Sequence, residues 1–98
     1  MSTRSIRVRV QYLAPYIRDL VGVGEEMVEL AEGSTLRDLV VRLAELHGER
    51  VLTQLLDDSG RGLREGVLVL VNGATAQSAD HEVRDGDTVS VLIALDGG

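Results

Sequence analysis

The sequence has 98 residues and contains no cysteine, no lysine, no phenylalanine and no tryptophan, and Pro15 is its single proline. Without cysteine there is no disulfide framework, no thiolate metal site and no cysteine nucleophile. Without lysine, no side chain can accept an isopeptide bond. All ten basic residues are arginines, a bias that the codons of a GC-rich genome would also produce. No apolar run approaches the roughly 18–20 residues that span a bilayer. Residues 1–5 are short and polar and lack the apolar stretch of a signal peptide. The expectation is a cytoplasmic protein with no membrane partner. The formal charge is −6, which repels a phosphate backbone and argues against nucleic acid. An acidic surface suits a basic protein partner instead.

What is present fits one compact domain over residues 1–98. At 44% hydrophobic and 27% charged the chain can bury a single modest core. Residues 6–13 alternate apolar and polar side chains, the pattern of a half-buried strand that Pro15 ends. Residues 16–24 hold Gly22 and Gly24 and read as a loop, with room for one helical turn at 16–20. Residues 26–31 read as a second strand, antiparallel to the first. Thr35 is a good N-cap, and Asp38 stands where the acid of a capping box stands. Leu36, Leu39, Val40, Leu43 and Leu46 then recur at helical spacing, and Gly48 closes that helix. Residues 50–56 suggest a second short helix, and 57–62 a loop.

Residues 67–71 are apolar at every position, which suggests a strand covered on part of both faces. Asn72-Gly73 is a tight-turn signal, residues 74–78 read as a short extended piece, and residues 85–87 form another turn. Residues 88–95 make the last strand. Val89, Val91, Ile93 and Leu95 occupy one face, and Ser90, Leu92 and Ala94 the other. The order is α+β: a mixed sheet of four to five strands packed by one main helix, with first and last strands parallel neighbours. One helix covers one sheet face, so Leu92 and Ala94 are expected in an exposed apolar patch on the other.

Motifs for catalysis or metal binding are missing. His47 and His81 lie far apart without ligand spacing. His47 reads as a residue at a helix C-terminus beside the negative end of the dipole, and His81 as a surface turn residue. Asp57-Asp58 and Asp85-x-Asp87 lack the ligand series of a calcium loop and read as solvated turn acids. Gly22-x-Gly24 does not complete a dinucleotide fingerprint, and Ser34 is accounted for by its place at the helix start. Arg7 and Arg9 share one face of the first strand, as its polar face or as part of a partner contact.

The sequence closes on Leu95-Asp96-Gly97-Gly98. Two glycines at a free end are either a frayed tail or a working part. Lacking side chains, they thread a narrow slot, and residues 96–98 read as a flexible tail reaching roughly 10 Å. A carboxylate on such a tether becomes reactive once an ATP-dependent enzyme adenylates it; sulfur or an amine then attacks.

Four stretches in this order, IRVRVQYLAPYIRDLVG, VELAEGSTLRDLVVRLAELHG, VLVLVNG and VRDGDTVSVLIALDGG, resemble the ubiquitin-like sulfur carriers of the MoaD/ThiS type. The resemblance covers nearly the whole chain and implies a β-grasp fold. It implies a carrier, not an enzyme, with no catalytic residue, no metal and no cofactor of its own. The partners implied are an adenylating enzyme of the ubiquitin-activating type, which uses the ATP, and a sulfur-accepting synthase large subunit. Gly98 would bear the thiocarboxylate, with Gly97 and Asp96 in the passage and Leu92, Ala94, Arg7 and Arg9 facing the partner. Many molybdopterin-type relatives carry prolines before the glycine pair, where this chain has Ile93-Ala94-Leu95-Asp96, and relatives often carry aromatics that it lacks. The sulfur acceptor is therefore open: a molybdopterin precursor, foremost, or a thiazole, cysteine, tRNA or a secondary metabolite. Two other functions stand beside the carrier: a modifier joined through Gly98 to lysines of other proteins, and a binding module with an incidental tail.

Overall fold

The computed structural model describes residues 4–76 and 78–93. A hairpin opens the fold, β1 (Ser5–Tyr12) against β2 (Glu25–Ala31), but its connection is not a plain loop. It holds a two-turn helix, α1 (Pro15–Val21). Pro15 starts this helix at its first position, where a missing N–H costs nothing. Gly22 ends it at φ 92°, its N–H donating to Arg18 O at 2.7 Å. The helix contains the single turn allowed for at 16–20 and extends it; only Ile17 is fully buried, so the apolar repeat is too short to show the whole helix.

The main helix, α2 (Leu36–His47), starts as its sequence predicts. Thr35 N–H donates to Asp38 Oδ2 at 2.9 Å, and Asp38 N–H donates back to Thr35 Oγ1 at 3.3 Å. Thr35→Ala should cost about 1 kcal/mol by urea denaturation, and Thr35→Ser should restore most of it. Leu36, Leu39, Val40 and Leu43 are buried, whereas Leu46 is exposed. Ten residues on from Leu36, Leu46 sits about 80° round the helix axis, at the rim of the stripe in the last turn. Gly48 ends α2 but does not adopt the left-handed cap conformation. At φ 111° and ψ 159° it joins α2 directly to α3 (Glu49–Leu55), which buries Val51 and Leu55.

The second half supplies β3 (Val67–Val71), a two-residue β4 (Ala74–Thr75) and β5 (Thr88–Ile93). The expected fourth strand is thus shorter than 74–78, and Gln77 lies outside the described residues. Asn72 (φ 52°) and Gly73 (φ 86°) turn β3 into β4. The Asn72 side chain accepts from Thr88 N–H at 2.9 Å and donates to Asp87 at 2.9 Å, tying that turn to the start of β5. The sheet order is β2-β1-β5-β3-β4. Among the described residues only the β1–β5 pairing is parallel, with Arg9 beside Thr88 and Tyr12 beside Val91. This is the β-grasp arrangement. The core lies between one sheet face, lined by Val8, Val10, Val69, Val89 and Val91, and the three helices. The described helices include none long and apolar enough to cross a membrane.

Candidate functional site

The parallel pairing of β1 and β5 brings the end of β5 beside the exit from β1. Leu13 N–H extends the ladder by donating to Val91 O at 2.9 Å. The chain then turns sharply at Ala14 because Pro15 begins α1. The turn and the last residues of β5 enclose an apolar pocket of about 350 Å³ lined by Leu13, Ala14, Pro15, Tyr16, Leu92 and Ile93. Its rim is exposed: Leu13 at 46% and Tyr16 at 54%. On the neighbouring strand Leu68 pairs with Leu92 and is 37% exposed, so the apolar surface continues across the open sheet face.

Leu92 therefore lies where the expected patch lies, half-buried against the pocket. Ala94, Asp96, Gly97 and Gly98 lie outside the described residues. Ser90, expected on the same exposed face, is buried. It belongs to a central strand, flanked by Gln11 on β1 and Leu70 on β3, and its hydroxyl donates to Gln11 Oε1 at 3.0 Å. Arg7 and Arg9 share the open face but not this end of it. Arg9 sits level with Thr88, four residues before Leu92, about 13 Å along the strand. Its Nη1 stands 3.1 Å from Glu25 Oε2, and Arg7 N–H donates to Asp85 Oδ1 at 2.8 Å. The structure thus separates the arginines from Leu92. Reading residues 6–13 as strand alone missed Leu13, Pro15 and Tyr16; the signal was the close spacing of Leu13 and Tyr16 about a proline.

The other polar candidates are structural. Asp57 closes its loop by accepting from Ser59 N–H at 3.0 Å and from Ser59 Oγ at 2.6 Å. The Ser59 hydroxyl, first of several donors, holds the Asp57 carboxyl below its ordinary range. Ser34 Oγ donates to Ala31 O at 2.7 Å ahead of α2, and the exposed His81 gives its carbonyl to Leu36 N–H at 2.9 Å. His47 does end α2, but it also reaches β2: its Nε2 lies 2.6 Å from Glu26 Oε2. The buried Tyr12 hydroxyl donates to that same oxygen at 2.5 Å. Among the described residues no three His, Asp or Glu side chains gather to hold a metal ion.

Residues 10–98 match the model of the ThiS family. The chain belongs to the ThiS family. Solved structures agree with the assignment. This ThiS-family chain is 34% identical to the Pyrococcus furiosus protein assigned as molybdopterin converting factor, subunit 1, with a TM-score of 0.70 over 92% of this chain and 99% of that one. It is 28% identical to Urm1 of Trypanosoma brucei, TM-score 0.72, with both chains covered completely. It is 26% identical to a chain of the Amycolatopsis orientalis BexX/CysO complex, TM-score 0.68, over 93% and 99% of the two chains. No curated protein matches it significantly. The family is that of ubiquitin-like sulfur carriers, and its members include small subunits of larger assemblies.

Proposed function

We propose that this ThiS-family protein carries sulfur on the carboxylate of Gly98. The observation that carries the reading is the end of β5. The described strand finishes at Ile93 beside an exposed apolar pocket, and five residues closing on Gly97-Gly98 follow it. Five residues reach at most about 18 Å, enough for a partner seated on the pocket to draw Gly98 into its own active site. The carboxylate attacks the α-phosphorus of ATP in an adenylating partner, and pyrophosphate leaves. Hydrosulfide from the sulfur source then attacks the acyl carbon, the bond to AMP breaks, and loss of the proton leaves a thiocarboxylate. ATP belongs to the partner. This chain contributes a handle and a tether, and no catalytic group.

The likeness to a molybdopterin converting factor subunit supports molybdopterin-type cofactor synthesis as the destination, with a larger synthase subunit as acceptor. Incubation with ATP, a cognate adenylating enzyme and a sulfur source should yield a species about 16 Da heavier by mass spectrometry, one oxygen having become sulfur. No such species with any cognate activator would sink the carrier reading. Lysine conjugates on denaturing gels in its place would favour a modifier.

The pocket is the proposed seat of the partner. It has the apolar centre, with an aromatic rim, that interface hot spots share. Leu92→Asp should weaken binding of the adenylating partner by about thirtyfold or more, read by titration calorimetry. Arg7→Ala lies outside the pocket and should change it little. Equal losses for the two variants would place the contact elsewhere on the open face.

A further inference from the structure

Among the described residues β2 is an outer strand of the sheet, paired only with β1. Tyr12 N–H donates to Gly24 O at one end of this ladder and Glu32 N–H donates to Arg4 O at the other, both at 2.8 Å. Antiparallel pairs alternate between bonded and non-bonded. Glu26, Val28 and Leu30 therefore turn their backbone groups towards β1, and Glu25, Met27 and Glu29 turn theirs outward. Among the described residues nothing pairs with the outward N–H and C=O groups of Met27 and Glu29. Beside this edge runs a groove of about 660 Å³ between β2 and α2, where Leu30 and Val41 lie among the charged side chains of Glu29, Asp38, Arg42 and Glu45. An unpaired edge is a template for another strand.

A second copy of this chain is a poor occupant. Antiparallel pairing of β2 with itself about Met27 would set Glu25 against Glu29 twice, between chains that each carry −6. Like charges directly opposite are destabilising. On the open face, Glu29 faces Arg7 across the β1–β2 ladder and Glu25 is bonded by Arg9. An added strand would lie about 4.8 Å beyond β2, with those arginines about 10 Å away. On the open face the two carboxylates would then be its nearest charges. Its residues opposite Glu25 and Glu29 are best as cations and the one opposite Met27 as an apolar residue. Its intervening residues lie opposite Glu26, whose carboxylate is already bonded by Tyr12 and His47, and Val28, and apolar residues there leave no further charge to satisfy.

We propose that the β2 edge binds an extended segment of another protein, with lysine or arginine flanking three apolar residues. This goes beyond the carrier reading and does not depend on it. The probe is acetyl-Lys-Val-Ile-Val-Lys-amide added to the full chain, with amide hydrogen exchange followed residue by residue. The Met27 and Glu29 amides should slow by about tenfold or more at saturation. The same peptide with glutamate at both ends should bind about tenfold more weakly. Glu29→Lys should narrow or reverse that preference. Met27→Pro removes one outward N–H, a change an edge strand tolerates, and should abolish protection. Should that variant fail to fold, Glu29→Lys still decides the matter. Three results overturn the proposal: no protection at millimolar peptide, equal binding of the two peptides, or protection centred on Leu68 and Leu92. Edge protection that rises with protein concentration, without peptide, would assign the edge to a second copy and also overturn it.

Discussion

Deleting Gly97 and Gly98 should abolish thiocarboxylate formation while leaving the unfolding transition unchanged. The two halves of this expectation rest on different parts of the chain. The core is already closed among the described residues, with Val89 and Val91 of β5 packed beneath the helices. Shortening the chain after Ile93 removes none of those contacts. Loading, by contrast, depends on one carboxylate reaching one phosphorus atom. A misplacement of about 1 Å at a reacting centre costs about a hundredfold in rate, and loss of two residues displaces the carboxylate by about 7 Å. Appending a single residue after Gly98 should be as damaging, because the adenylated group then ends in the wrong place. Gly97→Val tests the passage separately. It keeps the length but adds a branched side chain to a segment meant for a narrow slot, and should slow loading by about a hundredfold. A truncated protein that still gains about 16 Da would remove Gly98 as the site and with it the carrier mechanism. One that loses its cooperative unfolding would show that the tail belongs to the fold.

The parts of the fold visible in the sequence were those with a local cause. Thr35 and Asp38 define a helix start through their own side chains, and the β1 and β5 alternation names the buried face directly. The helix start is as expected, and β1 buries Ile6, Val8, Val10 and Tyr12; in β5 Val89 and Val91 are buried as expected and Ile93 is half-buried, while Leu95 lies outside the described residues. What the sequence hid was set by neighbours distant along the chain. Ser90 is polar and small, and only its place between β1 and β3 buries it. Leu46 continues a spacing that the end of the helix leaves facing solvent. α1 showed in the sequence only as room for one turn at 16–20, because Ile17 is the only member of its face that is fully buried and Gly22 and Gly24 just after it look like loop. The pocket followed the same rule. Leu92 could be named from the parity of β5, but Leu13 and Tyr16 join it only because β1 and β5 are parallel and Pro15 turns the chain between them. The tail residues Asp96, Gly97 and Gly98 could be named from sequence alone, since their proposed role needs no fold around them.

The contact that sequence reading did not reach at all carries the second large effect. Tyr12→Ala should cost about 3–5 kcal/mol, as loss of a fully buried aromatic side chain does. For a domain of this size that is a large share of a total stability of about 5–15 kcal/mol. The ring is completely buried, and its hydroxyl and His47 Nε2 meet at the single oxygen Oε2 of Glu26. The three side chains join β1, β2 and the end of α2. Tyr12→Phe separates packing from polarity. It keeps the ring, and Glu26 keeps His47, so the cost should fall to about 1–2 kcal/mol. Because both donors share one acceptor, Tyr12→Phe and His47→Ala should not be additive. Alkaline pH adds an independent check. Burial first, then the hydrogen bond and negative charge of Glu26, push the Tyr12 hydroxyl above its ordinary range. The native state therefore keeps this proton where the unfolded chain has lost it. That contribution is full below the unfolded value of about 10 and shrinks as pH rises past it, by at most about 1.4 kcal/mol per pH unit. Urea denaturation between about pH 8 and pH 11 should show this limb in the parent and a shallower one in Tyr12→Phe. Equal slopes in the two proteins would mean that the hydroxyl titrates alike folded and unfolded, and the shared oxygen would then be no more than a close approach.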